Sequence, residues 1–324
     1  MHERFTIDCD VLPRMSAAYL RVAGDECAFV ETNTAHAVPR LMEALARNGR
    51  RPEQVRWVIV THAHLDHAGG ASALLAQCPN ATLVAHPSAA KNLIDPAKLV
   101  AGATEVYGVE RFARLYGDIA PIPKARVLTL GAAEAGCPDG STFELGGATL
   151  RVHHTAGHAW HHFVVDDPAM ETVYTGDAFG LVYPLLQRAG RFAIASTSPT
   201  GFEPDEARKS LAKILSLGEA AACPTHFDEV RDLAEVAAQV GAWIDRSEAW
   251  RDEAVDRGWS IAEAKPAIEA KIRAAFTEDA ARRGLALDAA DWELLAIDVD
   301  LNAQGLAFAA SRILADREKA RRTS

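Results

Sequence analysis

Short alternating and apolar runs dominate the first half of the chain, and turn-forming residues separate them. Two apolar runs flank Gly24-Asp25, a pair that predicts a hairpin turn. Helical spacing over 35–48 follows, and continuous apolar runs at 57–60 and 82–85 predict buried strands. With another helical pattern between those two strands, this part of the chain indicates α and β elements that alternate in layers.

The segment 88–124 differs, because its apolar residues recur at helical spacings and prolines interrupt it. One or two helices are predicted here. Since the segment joins two parts of the chain that carry candidate metal ligands, one interpretation is a cap over the mouth of an active site. The alternative is an outer helix that packs on the sheet or forms a dimer contact.

Strand-like runs return over 126–175, where Gly146-Gly147 predicts a second two-residue hairpin turn. A helix over 202–217 follows, with an acidic first turn and a glycine as its stop. A last short strand is predicted at 220–224. Strands in both halves with helices between them predict two sheets flanked by helices.

The character of the chain changes near residue 230, after which only helical spacings occur. We therefore predict a catalytic domain over 1–230, with the helical insertion at about 88–124. Residues 231–324 are predicted to be a helical C-terminal region. This region could cover the active site, pack on the core or form a homodimer, and the spacing leaves these alternatives open.

Composition narrows the class of protein. The apolar share is 49% and the charged share 24%, as in globular proteins that bury a sizeable core. With 34 basic and 44 acidic residues, the formal net charge is −10. A broad nucleic-acid surface needs clustered Lys and Arg, so nucleic acid is not an expected partner. The expected partner is a small-molecule substrate.

Cysteine usage and hydropathy bear on the compartment. The five cysteines form no CxxC pair and are odd in number, which argues against a disulfide framework. The N-terminal residues have no apolar signal core, and no run approaches the length of a membrane span. The expected location is the cytoplasm, with no membrane partner.

The candidate chemistry is concentrated directly after the apolar run at 57–60. His62, His64, Asp66 and His67 bring three imidazoles and one carboxylate into six residues. In extended backbone, His62 and His64 point the same way. Asp66 and His67 lie past the bend and can face a second metal. Since one ion can hardly take four side chains from so tight a turn, two adjacent ions are favoured.

This His-x-His-x-Asp-His segment resembles the signature of the metallo-β-lactamase-fold hydrolases. Three later segments resemble further motifs of that family, namely Thr-Ala-Gly-His, Thr-Gly-Asp and Pro-Thr-His. The resemblance implies a four-layer αββα sandwich, here with a C-terminal helical appendage. The ligands that it implies are His62, His64 and His158 for a first metal, Asp66, His67 and His226 for a second, and Asp177 as the bridge.

Two further histidines are weaker candidates for a place at the metal centre. His162 lies four residues after His158 and resembles a second histidine often seen in that motif, where it would support the ligands. His86 follows the strand at 82–85 and is the alternative to His226 as the last ligand.

Two metals without a thiolate ligand favour hydrolysis, since a hydroxide that bridges two cations is a nucleophile at neutral pH. Zinc is the first expectation, with manganese or iron as alternatives. Asp66 could relay a proton to the leaving group, and Asp177 would balance the charge of both ions. Tyr183 could supply an oxyanion donor. The expected substrate is a small ester, thioester or lactone.

The branch of the family stays open between glyoxalase II-like and lactonase-like proteins. The residues after His226 depart from the His-Glu-Tyr of the former, and Gly180 stands where the latter usually have tyrosine. Five aromatic residues near the ligands suggest an apolar pocket, namely Trp160, Phe179, Tyr183, Phe192 and Phe227. The alternatives are a phosphodiester or organophosphate hydrolase of the same fold and a non-catalytic metabolite-binding protein.

Overall fold

The computed structural model describes residues 2–9, 12–132, 138–197 and 201–323. These residues form two compact units. The sheet unit takes its residues from the ranges 1–155, 161–176 and 217–231. The helical unit takes its residues from 156–160, 177–216 and 232–324. Two pieces of the predicted catalytic domain, 156–160 and 177–216, thus belong to the helical unit, which also holds the chain after residue 231.

The first sheet of the sheet unit has strands in simple chain order. Its first three strands are antiparallel, and the remaining ones join them in parallel. The strands are β1 (His2–Asp8), β2 (Ala17–Ala23), β3 (Glu26–Val30), β4 (Val55–Ile59), β5 (Thr82–Ala85) and β6 (Val127–Thr129). The predicted hairpin is confirmed, because Gly24 lies at the turn between β2 and β3 with a φ of 54°. The predicted strands at 57–60 and 82–85 are also confirmed.

Strand β1 was not among the predicted elements. Its sequence mixes charged and apolar residues, and most of the strand is only partly buried at the sheet edge. Tertiary pairing decides its conformation, since Phe5 lies opposite Leu20 of β2 and the Arg4 guanidinium donates a 2.7 Å hydrogen bond to Thr172. Neither contact can be predicted from the local pattern of apolar and polar residues, because both join residues that are distant in the sequence.

Helices connect the parallel strands of this sheet. They are α1 (Val38–Arg47), α2 (Leu65–Ala68), α3 (Ala71–Gln77), α4 (Pro87–Ile94), α5 (Ala97–Tyr107) and α6 (Val109–Tyr116). One face of α1 buries Val38, Leu41 and Leu45 in a hydrophobic core shared with the sheet. Residues 88–124 thus form three helices rather than one or two. Of these, α4 joins the same core through Leu93, whereas α5 and α6 are mostly half-buried or exposed.

The second sheet also lies in the sheet unit. Its strands are β7 (Ser141–Leu145), β8 (Ala148–His154), β9 (Phe163–Asp167), β10 (Thr172–Gly176) and β11 (Ala221–Pro224), and their spatial order is the reverse of the chain order. All pairs are antiparallel except β10 with β11. The hairpin predicted at Gly146-Gly147 is confirmed, and both glycines have positive φ values. Such values suit the right-handed twist of a two-residue hairpin.

A hydrophobic core lies between the two sheets. Tyr19 packs on Tyr174 with ring centroids 5.5 Å apart, and Trp57 meets Phe143 edge-on at the same distance. The Trp57 indole also donates a 2.7 Å hydrogen bond to the Glu144 carbonyl. Burying each such side chain stabilises the fold by about 2 kcal/mol. The pairs therefore fix the face-to-face arrangement of the sheets, which carry the candidate ligands at their strand ends.

The helical unit contains α7 (Pro204–Ser216), α8 (Leu233–Asp256), α9 (Ile261–Arg282) and α10 (Ala289–Thr323). Its core includes Trp243 of α8 and Phe276 of α9, whose ring centroids lie 4.8 Å apart. The predicted fold class, sheets flanked by helices with a helical C-terminal region, is confirmed. Among the described residues, no helix combines the length and the apolar character that crossing a lipid bilayer requires.

Candidate metal centre

The ligand-rich segment begins directly after β4 and bends into the single turn of α2. His64 occupies the position before α2 with extended backbone, and its ring centroid lies 4.4 Å from that of His62. The prediction that these two side chains point the same way is therefore confirmed. Asp66 and His67 follow within α2, and His67 reaches the same cluster with its ring centroid 4.0 Å from His62.

The loop can pack so tightly because glycine follows it. A β-carbon on Gly70 would lie 2.6 Å from the Thr32 carbonyl oxygen and 2.7 Å from that of Thr34. Without a β-carbon, Gly70 can approach this backbone closely, and its amide donates a 2.7 Å hydrogen bond to the Asn33 carbonyl. The Asn33 side chain in turn donates to the Asp66 carbonyl at 3.1 Å. The segment after β3 thus clamps the ligand loop against the sheet.

Asp66, His67 and His226 come together as a group that could hold a metal ion, with their ligand atoms within 4.8 Å of one another. The Asp66 Oδ2 atom lies 3.6 Å from the Nε2 atom of His67 and 3.5 Å from that of His226. His226 follows β11 of the second sheet, whereas the other two follow β4 of the first. Candidate ligands that follow strands of both sheets therefore lie close together, and they are the three residues that the family resemblance implies for the second metal.

The second nitrogen of these histidines has its own partner. The Nδ1 atom of His226 lies 2.9 Å from the Met15 carbonyl oxygen, and that of His67 lies 3.3 Å from Glu31 Oε1. A carbonyl or carboxylate oxygen requires a proton on Nδ1, which leaves the Nε2 lone pair for a metal. Both Nε2 atoms face Asp66, so tautomer and orientation agree with ligand roles.

Glu31 is a functional candidate that the sequence analysis missed. Its side chain is only 1% exposed, and its backbone has a φ of 66°, in the left-handed region. The Thr61 hydroxyl donates a 2.5 Å hydrogen bond to Glu31 Oε1, and it lies 3.0 Å from His62 Nδ1. A hydroxyl that donates to Glu31 can accept from the His62 Nδ1–H. One carboxylate thereby orients His67 directly and His62 through Thr61.

The remaining two predicted ligands, His158 and Asp177, lie in the helical unit. The Nε2 atom of His158 lies 3.4 Å from Asp177 Oδ2, and its Nδ1 atom lies 3.3 Å from the Ser196 carbonyl oxygen. Both side chains are buried. His158 thus repeats the arrangement of His67 and His226, with Nδ1 on an oxygen and Nε2 directed at a carboxylate.

His162 lies beside the cluster, and its supporting role stays a prediction. Its Nδ1 atom lies 2.8 Å from the Thr155 hydroxyl, and its ring centroid is 5.0 Å from that of His62. A β-carbon on Gly176 would lie 2.5 Å from His162 Nε2, so the Thr-Gly-Asp segment needs glycine before Asp177. The neighbouring His161 is half-buried, and its ring lies 6.3 Å from that of His62.

His86, the alternative to His226, lies elsewhere. Its Nδ1 atom accepts a 3.2 Å hydrogen bond from the Ser88 amide and so caps the start of α4. Its ring stacks on His154 at 5.3 Å. Within the described ranges, it belongs to no group that could hold a metal ion.

Tyr183 lies in the helical unit with its side chain 1% exposed. Its hydroxyl donates a 3.1 Å hydrogen bond to Asp298 Oδ1 of α10. An oxyanion role would require the hydroxyl to leave this carboxylate, and that role stays a prediction.

The aromatic residues predicted to line a pocket differ in how far they are buried. Phe179 and Phe192 are buried in the helical unit, where Phe192 packs on Phe276, and Phe227 belongs to the core between the two sheets. Trp160 differs, since 62% of it is exposed. Phe179, Phe192 and Phe227 thus serve in hydrophobic packing.

The donor chemistry fits a divalent metal ion. Imidazole nitrogens and carboxylate oxygens are ligands that zinc, manganese and iron share. Burial raises the pKa of the Cys9 and Cys223 thiols to about 12, so neither supplies a thiolate at neutral pH. The groups of the described residues that could hold a metal contain histidine and aspartate alone.

The chain was compared with known families and structures. The family profile described as "Metallo-beta-lactamase superfamily" matches residues 11–226. This range contains every predicted ligand. A comparison with curated proteins finds no significant match.

Solved structures share the fold at low identity. An archaeal metallo-β-lactamase superfamily protein from Sulfolobus tokodaii is 17% identical, with a TM-score of 0.63 over 94% of this chain and 98% of its own. A metallo-β-lactamase family protein from Thermus thermophilus is 19% identical, with a TM-score of 0.60 over 97% of this chain and 94% of its own. Both cover the C-terminal helices as well as the sheets.

A metallo-β-lactamase from Cronobacter sakazakii, carrying changes in its HARLDQ motif, is 19% identical. It has a TM-score of 0.51 over 76% of this chain and 97% of its own.

Proposed function

The chain belongs to the metallo-β-lactamase superfamily, and on that premise we propose that it hydrolyses a small ester, thioester or lactone with two divalent metal ions. Membership makes the chain a metal-dependent hydrolase. The number of ions and the substrate are our proposal. The observation that carries it is the convergence of Asp66, His67 and His226, whose ligand atoms lie within 4.8 Å of one another.

We assign the second metal to this group of Asp66, His67 and His226. His62, His64 and His158 would hold the first metal and Asp177 would be the shared ligand, as the family resemblance implies. Support comes from the Nδ1 contacts of His67, His158 and His226, because an oxygen beside Nδ1 favours the tautomer whose Nε2 atom carries the lone pair. An imidazole positioned in this way needs no rearrangement before it binds.

When bound, two divalent cations lower the pKa of a coordinated water and polarise the scissile carbonyl. The side chain of Asp66 is 46% exposed, in contrast to the buried His67, so its carboxylate can also reach a leaving group. In ester hydrolysis, water adds its oxygen to the acyl carbon, and the bond to the leaving oxygen or sulfur breaks. Asp66 would carry the proton to that leaving atom. Tyr183 stays the proposed oxyanion donor, on condition that its hydroxyl leaves Asp298.

Zinc is the first proposal for both ions, with manganese or iron as alternatives, since the donors suit all three. The proposed location is the cytoplasm, where free thiols such as those of Cys9, Cys27, Cys78 and Cys223 are usual. We expect a small-molecule substrate and neither a nucleic-acid nor a membrane partner. A homodimer stays open as the oligomeric state.

The test is a substrate panel with and without a chelator. It contains p-nitrophenyl esters, a thioester, a lactone and a phosphodiester, and it is run beside elemental analysis of the purified protein. We expect close to two metal ions per chain and turnover of the esters, thioester or lactone that the chelator abolishes. Faster turnover of the phosphodiester would favour the alternative hydrolase. A folded, metal-loaded protein that turns over none of them would favour a metabolite-binding protein.

A further inference from the structure

A small cavity lies inside the helical unit, next to His158 and Asp177. Its volume is about 20 Å³. This is room for one water molecule or a group of similar size, since a water-sized probe occupies roughly 10–15 Å³. The aromatic residues that the sequence suggested do not form it. Small side chains make up most of its wall: Ala156, Ala178, Ala195, Ala207, Ser196 and Ser210.

The cavity is narrow because backbone segments approach closely. Ala207 of α7 lies so near Gly157 that a β-carbon on that glycine would be 2.8 Å from the Ala207 β-carbon. The Ser210 hydroxyl donates a 2.6 Å hydrogen bond to the Ala156 carbonyl, so it is occupied within the wall. Val240 and Ile244, one turn apart on α8, close another side, and both are buried.

The chemistry of the wall is asymmetric. Only His158 and Asp177 bring ionisable groups to it, and the other side chains are apolar or hydroxyl-bearing. A fitting ligand therefore has a polar end at His158 and Asp177 and a short apolar end in the cavity. An acetyl group meets this description, with its carbonyl towards the two candidate ligands and its methyl group, which is similar in size to water, in the cavity.

We propose that this cavity receives the acyl group of the substrate and that Val240 limits its length. The inference rests on the proposed function, because it takes His158 and Asp177 to be metal ligands. It adds the substrate class, namely esters or thioesters of acetic acid in preference to those of longer acids. A hydrophobic pocket distinguishes acyl chains that differ by one methylene about tenfold or more.

The experiment compares Val240→Ala with Val236→Ala. Both residues are buried valines on α8, one turn apart, and only Val240 lines the cavity. We measure kcat/KM for p-nitrophenyl acetate, propionate and butyrate on zinc-loaded protein. Wild type and Val236→Ala should prefer acetate to butyrate by about tenfold or more. Val240→Ala should raise the butyrate-to-acetate ratio by about tenfold, and filling the cavity with Ala195→Val should lower it.

A second measurement does not depend on turnover. Acetate and butyrate, the acid products, are tested for stabilisation of zinc-loaded protein against heat. Acetate should stabilise wild type more than butyrate does, and Val240→Ala should bring the two acids closer together.

The outcomes separate two failures. If the wild type hydrolyses no ester, thioester or lactone of the substrate panel, the proposed function fails, and the heat measurement still decides about the cavity. If wild type accepts butyrate as readily as acetate, or if Val240→Ala keeps the ratio of Val236→Ala, the cavity is an internal void or a water site and the inference is overturned.

Discussion

At the scale of single residues, the candidate centre depends on groups that orient the ligands as much as on the ligands themselves. Glu31 is the main example, since its buried carboxylate lies against Thr61 and His67. Its position in the sequence does not indicate this role. It directly follows β3, and only the parallel pairing of β3 with β4 brings it beside the ligand loop.

Glu31→Gln should therefore weaken metal binding without removing a ligand. The amide keeps the shape but lacks the charge that favours a proton on His67 Nδ1. We expect the affinity for the more weakly bound ion to fall about tenfold. Competition with a chromophoric chelator measures it. Glu26→Gln, at the other end of β3, is the control, and equal affinities of the two variants would contradict the role.

Tyr183 poses a different question, because its hydroxyl already has a partner in Asp298. Tyr183→Phe should lower the free energy of unfolding by about 2 kcal/mol, since a buried carboxylate loses a donor. Tyr174→Phe is the control, because the Tyr174 hydroxyl is buried without a hydrogen-bond partner among the residues described. We expect little loss there.

The same pair of variants tests the predicted oxyanion role. An oxyanion donor lost at Tyr183 lowers kcat by roughly a hundredfold or more. A kcat within about threefold of the wild-type value would refute that role and leave the hydroxyl with a structural function.

At the scale of elements, periodicity predicted most strands and helices because their burial repeats along the chain. Both glycine-containing hairpins were found at the predicted turns, since their positive φ values leave few residues that fit. The motif residues could also be found, because histidine and aspartate are common metal ligands and here they follow strand-like runs at short spacings. Strand β1, Glu31 and the small-residue cavity could not be predicted, since long-range pairing creates each of them.

Helices α5 and α6 keep the proposed role of a cap. The His36 ring nitrogen Nε2 lies 3.0 Å from the Ala113 carbonyl of α6, and His36 is three residues from Asn33, which holds the ligand loop. Replacing residues 98–116 with a short Gly/Ser link should change the relative rates on the ester panel while both metals stay bound, because no ligand lies there. Unchanged relative rates in a folded protein would make the segment structural.

If the shortened protein does not fold, Phe112→Ala provides a milder test of the same cap. Phe112 is 8% exposed and packs on Tyr116 within α6. The variant should loosen α6 and shift the relative rates in the same direction. Lys98→Ala, on the exposed side of α5, is the control and should leave them as in wild type.

Strand β9 and the turn before β11 place two carboxyl groups together. Burial, followed by the hydrogen bond and charge of Asp166, raises the pKa of Glu219 from 4.5 to about 7. Asp167 and Glu171 add negative charge there, and Arg151 and His153 face Asp166 from β8. The folded state therefore binds more protons than the unfolded state between pH 4.5 and 7. Stability is lost as the pH rises through this window.

Glu219→Gln should remove this dependence. At a pH of about 8 the variant should be more stable than wild type by about 1 kcal/mol, and the difference should shrink towards a pH of about 5. Urea unfolding at the two pH values measures it. Glu3→Gln, on the partly exposed β1, should follow wild type throughout. A difference independent of pH would contradict the raised pKa of Glu219.

At the scale of the whole molecule, metal binding should contribute to folding stability. Asp66 and His67 follow β4 of the first sheet and His226 follows β11 of the second, so an ion held by all three would link the two sheets. A ligand present at about a thousand times its Kd stabilises the folded state by about 4 kcal/mol. In a chain of this size, that corresponds to an increase in Tm of roughly 10 °C.

Removing the metal should therefore lower the Tm by about that amount, and adding zinc back should restore it. Calorimetry with and without chelator measures the change. His226→Gln should lose part of the metal-dependent increase, because one of the three ligands that link the sheets is gone. His154→Gln, whose ring stacks on His86 away from the centre, should keep the full increase. An identical Tm for metal-loaded and metal-free wild type would show that the ions do not link the sheets, whatever their part in catalysis.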